Sequence, residues 1–420
     1  MKIGRESNAF ELPIEVFAGK DQGGGPAVGA MMRILGQMPL GQQRVDLLGR
    51  AALLVDGEDA LLEVRLPTGE ILRVGGIDPL QAIDPLRRNR RSIALDLKNP
   101  DGVQALLRLV DGAEALIEGF RPGVAERLGI GPEVCLTRNP RLVYGRVTGW
   151  GQDGPLSNAP GHDLNYVALS GALHAFGPLG KPPVAPLNLL GDFGGGGMLL
   201  AFGLVCALLE ARQSGRGQVV DAAMLDGVNA MMAMFHGFRA AGIFDEQPGT
   251  HFLSGAAHFY ATYETRDGKY ISIAALEPGF YQDLIRRAGL DAAGFAGHGL
   301  GVYPIASPEW PRLKAELAAV FRSRTRDEWT ALLEGTDACF APVLSVTEAS
   351  QHPHNVARKA FVSVNGVLQN APAPRFSVTV PDEPTPPAVA GTHSRAVLAQ
   401  AGFAAGEIDN LLASGAVVQR

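Results

Sequence analysis

The chain has 420 residues, 46% hydrophobic and 19% charged, enough for two or three domains with cores of their own and ordinary for a globular enzyme. Its formal net charge of −6 supplies no general attraction for nucleic acid or for an anionic membrane, and neither is expected as a partner. Cys135, Cys206 and Cys339 are an odd, sparse set without a CxxC spacing, which argues against a disulfide framework and a structural zinc site; no metal is expected.

The N-terminus, Met1-Lys2-Ile3-Gly4-Arg5-Glu6, has no apolar signal core, so a cytoplasmic location is expected. Residues 13–18 read as a first strand, followed by the breaker Gly23-Gly24-Gly25-Pro26 and a helix over 27–35. Three short apolar runs, 51–55, 60–66 and 71–74, are separated by Asp56-Gly57 and Thr68-Gly69. They are expected to build a small antiparallel β insertion within about 40–75. Then comes a strand over 92–97, and Asn99-Pro100-Asp101 opens an amphipathic helix that runs to Leu109. A strand over 115–118, the loop Gly119-Phe120-Arg121-Pro122-Gly123, a helical turn over 124–128 and a strand over 142–147 follow. This alternation argues for a mostly parallel α/β sheet.

A helix is expected over 168–175, a short strand over 187–190 that delivers Asp192, and a long buried helix over 194–212. The uncharged run 193–209 falls short of the roughly 20 apolar residues of a membrane span and reads as a core helix. A strand over 219–222 leads to an apolar helix over 225–238, whose Met231, Met232 and Met234 read as core. A second α/β unit begins near Phe259 with a hairpin, 260–263 and 270–274, across Asp267-Gly268. Helices follow Glu277-Pro278 and cover 310–322 and 326–333, a proline-rich linker covers 370–387, and closing helices cover 394–401 and 405–412. The expected division is a large domain over 1–222, a linker helix and loop over 223–258, a small α/β domain over 259–345, and a return linker with C-terminal helices over 346–420 packing on the large domain.

His162 and Asp192 each sit at the edge of an apolar run, where a scaffold presents reactive groups. An imidazole gives or takes a proton at little cost near neutral pH; the plainer reading is a loop histidine bonded to backbone. Asp192 closely precedes Gly194-Gly195-Gly196-Gly197. Free N–H groups at a helix start favour a carboxylate and could steady a developing oxyanion, while N-capping is the plainer reading. Four glycines in a row suit a place where something approaches the backbone closely. The stretch is not a P-loop, since no Lys-Ser/Thr follows, nor a GxGxxG turn. Glu277 could orient a histidine or simply begin a helix. Arg87, Arg88, Arg90, Arg91 and Lys98, with Arg121 and Arg127, could hold phosphates or form a solvated face.

Taken together, these residues resemble the α-methylacyl-CoA racemases of the class III CoA-transferase superfamily. The matching text is Arg88-Asn89-Arg90-Arg91, Asp96-Leu97-Lys98, Ile117-Glu118-Gly119-Phe120-Arg121-Pro122-Gly123, Gly149-Trp150-Gly151-Gln152 and Gly161-His162-Asp163-Leu164-Asn165-Tyr166. It continues through Pro186-Leu187-Asn188-Leu189-Leu190-Gly191-Asp192-Phe193, Gly217-Gln218-Val219-Val220-Asp221-Ala222, Glu277-Pro278, Asp337-Ala338-Cys339 and Pro372-Ala373-Pro374-Arg375-Phe376. The likeness covers about 87–380, in the family's order.

The resemblance implies a large Rossmann-like parallel-sheet domain, a smaller α/β domain and an interlocked homodimer with each active site between the two subunits. It implies an acyl-CoA substrate and no metal or redox cofactor. His162 and Asp192 match the family's pair of bases, which take the α-proton from one face of a 2-methylacyl-CoA and return one to the other through an enolate. Glu277 matches a glutamate that pairs with the histidine across the dimer. CoA contacts are implied for Leu95, Asp96, Leu97, Lys98, Gly119, Phe120, Arg121, Arg127, Gly161, Asp163, Leu164, Asn165 and Tyr166. A further arginine of the family has Arg73 as its candidate here. The superfamily's transferases use an aspartate at the Asp192 position as nucleophile and generally lack the histidine, so Gly161-His162-Asp163 favours proton transfer. The rivals are such a transferase and a catalytically silent paralogue that keeps the fold. The family's Leu-Asp-Gly-Gly-Ala-Pro loop reads Leu253-Ser254-Gly255-Ala256-Ala257-His258 here, near the acyl site.

Overall fold

The structure is a computed structural model. It describes the strand segments Ile14–Phe17, Leu53–Asp56, Leu62–Arg65 and Ile71–Val74, and residues 83–420 except 291, 296 and 300–306. The helix expected over 27–35 lies outside the described residues.

Six parallel strands form the main sheet in the order β5-β1-β2-β6-β7-β8: β1 (Ile14–Phe17), β2 (Leu53–Asp56), β5 (Arg91–Leu95), β6 (Ala115–Glu118), β7 (Val143–Thr148) and β8 (Val219–Ala223). The strand β14 (Val417–Val418) pairs antiparallel with β5 at one edge. The expected β insertion is only half right. β3 (Leu62–Arg65) and β4 (Ile71–Val74), which carries Arg73, do pair antiparallel, but Leu53–Asp56 joins the parallel sheet between β1 and β6. Its sequence opens Leu53-Leu54-Val55, a continuous apolar run rather than the alternation of a hairpin with one solvated face.

Successive side chains on β6 and β7 are buried on alternate faces, in two different cores. Leu116 and Tyr144 face one core with the helix Pro100–Val110 and the C-terminal helices; Ala115, Ile117, Val143 and Val147 face a second core with the helix Leu199–Ser214. Asn99 starts the first helix by accepting the Asp101 N–H at 3.0 Å, with Pro100 at the first helical position. A glycine at 145 lets Leu200 and Leu204 lie against β7, where a Cβ would meet them at 3.1 and 3.0 Å. The helix ending at Ser214 is, with its first turns, long and apolar enough to cross a membrane by length and composition alone. Here it packs Leu200, Leu204 and Leu208 into the sheet and carries a buried aspartate in its first turn.

The chain divides into two compact units. The first holds the parallel sheet and comprises 1–170, 186–231 and 361–420; the second comprises 171–185 and 232–360. The second has its own core, with a three-stranded antiparallel sheet of β9 (Tyr260–Glu264), β10 (Tyr270–Ala274) and β11 (Phe340–Val343) backed by helices that supply Leu284, Leu313, Leu317, Trp329 and Leu333. The expected hairpin forms across Gly268, whose φ of 71° suits a glycine in the turn.

Candidate active site

In an open parallel sheet, ligands sit outside the carboxyl ends of the strands. The loops after β5, β6 and β7 leave that edge. They carry the sequence-predicted residues Leu95 to Lys98, Gly119 to Arg121 with Arg127 on the following helix, and Gly161 to Tyr166. Their side chains do different work. Leu95, Leu97 and Phe120 are packed into the core and offer only backbone to a ligand. Asp96 and Lys98 are exposed, and the Asp96 carboxylate accepts the Lys98 N–H at 2.9 Å. Arg127 is exposed, and Arg121 is half-buried with an Nε that makes no hydrogen bond.

His162 stands immediately before the helix Asp163–Leu169. Its carbonyl accepts the Asn165 N–H at 2.8 Å while the Asn165 side-chain oxygen accepts the His162 N–H at 3.0 Å, so backbone and Asn165 do the capping. The imidazole is exposed and makes no capping bond, which removes the plainer reading of this histidine. Tyr166, on the same helix, donates its hydroxyl to the Gly161 carbonyl and meets Trp150 edge-to-face at 4.8 Å. Trp150 in turn donates its indole N–H to Ala159 at 3.1 Å. A Cβ at Gly149 would lie 2.1 Å from the Tyr166 ring, so only glycine admits this aromatic brace behind His162.

Asp192 is reached differently from the expectation. No strand forms over 187–190. Leu187 has a φ of 60°, and Leu189–Met198 is a π-helical stretch continuous with the α-helix that follows. A run as short as Leu187-Asn188-Leu189-Leu190 fits either period, and the helix after it decides. Asp163 reaches across to this helix start, and its Oδ2 accepts both the Gly191 N–H at 2.6 Å and the Asp192 N–H at 2.8 Å. These are the backbone donors expected to steady an enolate, and a carboxylate of the same chain already holds them. Asp163, implied as a CoA contact, is itself 4% exposed. The glycine run also has a packing role. A Cβ at Gly195 would lie 2.6 Å from the Met224 carbonyl oxygen, and one at Gly227 would lie 2.0 Å from that of Gly195, so helix Met224–Met231 rides directly on the Asp192 turn.

The Asp192 carboxyl is 4% exposed and accepts from the Asn188 amide at 3.3 Å. Its pKa is raised to about 6, mainly by burial and further by the Asp163 charge, against the pull of Asn188 and of His162. His162 is thus close enough to act on Asp192 electrostatically. The structure brings together an exposed imidazole and a buried carboxyl poised near neutrality, the pairing that general acid–base chemistry needs. Asn188 is the residue that sequence reading leaves without a role. Its spacing of four before Asp192 was the available signal, since that offset shares a helix face.

Glu277 belongs to the second unit. It precedes the helix Pro278–Ala288 and is exposed, and its side chain makes no capping bond, so the helix-start reading does not account for it. Its charge, with that of Asp337 and behind burial, helps push the Cys339 thiol up. Among the described residues there is no cluster of three or more His, Cys, Asp or Glu side chains that could hold a metal ion.

The model of CoA-transferase family III matches residues 66–393. The chain belongs to that family. It is 42% identical to the alpha-methylacyl-CoA racemase of Mus musculus over 326 residues, 77% of this chain and 84% of that protein. It is 39% identical to the human protein of the same name over 332 residues, 78% of this chain and 85% of that one. A probable fatty acyl-CoA transferase of Mycobacterium tuberculosis is 34% identical over 314 residues, 69% of this chain and 77% of that protein. The crystal structure of a CAIB/BAIF family protein from Brucella suis superposes with a TM-score of 0.69 over 92% of this chain and 98% of that one, at 22% identity, a likeness of fold. The expected fold class, a large parallel α/β unit with a smaller one, stands.

Proposed function

We propose that the chain is an isomerase that inverts the α-carbon of 2-methyl-branched acyl-CoA thioesters. His162 and Asp192 act as the two bases: one takes the α-proton, an enolate forms, and the conjugate acid of the other returns a proton to the opposite face. The observation that carries the reading is Asp192 itself, a buried carboxyl with a pKa near 6 under the influence of His162. Such a group is ionised enough to accept a proton and protonated often enough to give one. The relatives named alpha-methylacyl-CoA racemase support the same chemistry. No cofactor is needed, since the thioester carries its own electron sink. CoA lies along the carboxyl edge of the sheet, with its anionic end toward Arg121, Arg127 and Lys98.

The test is α-proton exchange. One enantiomer of a 2-methylacyl-CoA is incubated in D₂O and followed by NMR. Deuterium uptake with loss of configuration, abolished in His162→Ala and in Asp192→Asn, is expected. Retained configuration, or no exchange, would sink the reading. The transferase alternative has support in the mycobacterial relative. It requires a covalent adduct at Asp192, which hydroxylamine would trap; none is expected here.

The working form in this reading is a homodimer in which Glu277 of one subunit meets His162 of the other. Met198, Leu199, Phe202 and Leu209 leave an exposed apolar stripe on the helix that carries Asp192, which suits burial against a second copy. Light scattering should give twice the 44.2 kDa chain mass, and Phe202→Glu should lower both the mass and the activity.

A further inference from the structure

Three charged residues stand in register across neighbouring strands at the carboxyl edge: Glu118 on β6 opposite Arg146 on β7, and Arg146 opposite Asp221 on β8. Arg146 is 6% exposed and Glu118 fully buried. The guanidinium uses all three of its nitrogens. Nε donates to Glu118 Oε1 at 2.6 Å, while Nη1 and Nη2 donate to the two Glu126 oxygens at 2.8 and 3.3 Å. The other Glu118 oxygen accepts the Phe120 N–H at 2.6 Å. Glu118 immediately precedes the loop Gly119-Phe120-Arg121-Pro122-Gly123, and Glu126 lies on the helix Val124–Arg127 that follows it. One cation therefore fastens both ends of this loop. Between the clamps, Phe120 is anchored in the core, Gly123 turns at a φ of 82°, and Arg121 is left with a buried Nε that has no hydrogen-bond partner. Asp221 sits on the other side of Arg146, and its carboxylate accepts the Gln152 N–H at 3.1 Å.

We propose that Arg146 is a positioning residue for the CoA moiety. It holds the loop that presents Arg121 in one geometry, so that a phosphate of the substrate meets a preformed site. A planar fork is needed, because the two carboxylates are reached by different nitrogens of one group; a lysine ammonium on a flexible stem holds one of them at a time. Preorganising the loop favours binding by removing the ordering cost at the moment of association. The proposal rests on the acyl-CoA reading above, and its test has a readout that does not depend on racemisation.

CoA affinity is measured by calorimetry on the full chain, with a thermal melt for each variant. Glu126→Gln cuts only the partly exposed end and leaves the buried pair intact, so it should fold; it should weaken CoA about fivefold. Arg146→Lys should weaken it at least tenfold, and the double variant should be no worse than Arg146→Lys, because both act through one loop. For thioester exchange, KM should rise with kcat within about twofold. A pantetheine thioester, which lacks the phosphates, should be turned over equally by Glu126→Gln and wild type. Unchanged CoA affinity in folded Glu126→Gln and Arg146→Lys overturns the proposal, as does an equal loss with the pantetheine thioester. If wild type binds CoA but exchanges no α-proton, the racemase reading fails while the affinity series still decides the role of Arg146. If wild type binds no CoA, both fall.

Discussion

Asp192 owes its character to burial and to three neighbours, two of which, His162 and Asp163, come from a separate helix start. Burial raises its pKa, the Asp163 carboxylate raises it further, and the Asn188 amide and His162 lower it. In a two-base racemase the active state holds one proton between the pair, so activity against pH should be bell-shaped in both directions with limbs that belong to the pair. Asn188→Ala removes a donor that favours the ionised carboxylate, and the acid limb should move up. Asp163→Asn keeps an acceptor for the Gly191 and Asp192 N–H groups but removes the charge, and the limb should move down. Profiles of kcat/KM for both variants check the signs; acid limbs that move the same way in the two variants would refute this electrostatic account. His162 and Asp192 were legible because their residue types and their places at element ends are chemical signals. Asp163 was legible as part of a motif but not in its role, since only the fold shows that its carboxylate turns onto another helix.

The turn that holds Asp192 depends on how closely two helices approach. A Cβ at Gly227 would fall 2.0 Å from the Gly195 oxygen and 2.5 Å from its carbonyl carbon, and neither is a side chain that can swing away. Gly227→Ala should cost about 1–3 kcal/mol through overpacking, and should lower kcat as well because the displaced backbone carries Asp192. Gly237, on the exposed helix Ala233–Ala240, has nothing within 4 Å of its added Cβ. Gly237→Ala should stabilise by about 0.5–1 kcal/mol through helix propensity. Denaturant melts of the two variants separate the effects. At this scale the sequence was informative where a cap or a turn residue fixes a boundary, as at Asn99-Pro100 and Asp267-Gly268. It misled at 187–190. The Asn365-Gly366 pair, a strong hairpin signal, turns β12 (Phe361–Val364) into β13 (Val367–Asn370) within a stretch read as linker.

At the scale of the whole molecule, the second unit should be the more acid-sensitive through His258. This side chain is fully buried, and its Nε2 lies 2.8 Å from the Tyr281 hydroxyl, which itself donates to the Phe295 carbonyl. Nε2 is therefore the protonated nitrogen of a neutral ring. Burial lowers its pKa from 6.5 to about 4, helped by the His298 and Arg312 charges. A base held neutral in the fold but free to protonate when unfolded stabilises fully above its ordinary pKa. That stability is lost as pH falls from about 6.5 toward about 4, by about 3 kcal/mol in total. Chemical unfolding between pH 7.5 and 4.5 should show the decline, and His258→Phe should flatten it; an equal slope in the variant would exclude His258 as its source.

The sequence by itself determined the alternation of strands and helices, and with it a parallel sheet, because hydrophobic period and cap chemistry are local. It also determined the family, since long motifs run in the family's order from Arg88 to Phe376. The tertiary structure decided what no local pattern encodes: that Leu53–Asp56 enters the parallel sheet, that Asp163 takes the helix-start donors, and that one guanidinium on β7 ties Glu118 to Glu126. Each of these joins residues far apart in the chain, through a register, a packing distance or a shared low-dielectric environment. Such terms exist only once the elements have been assembled.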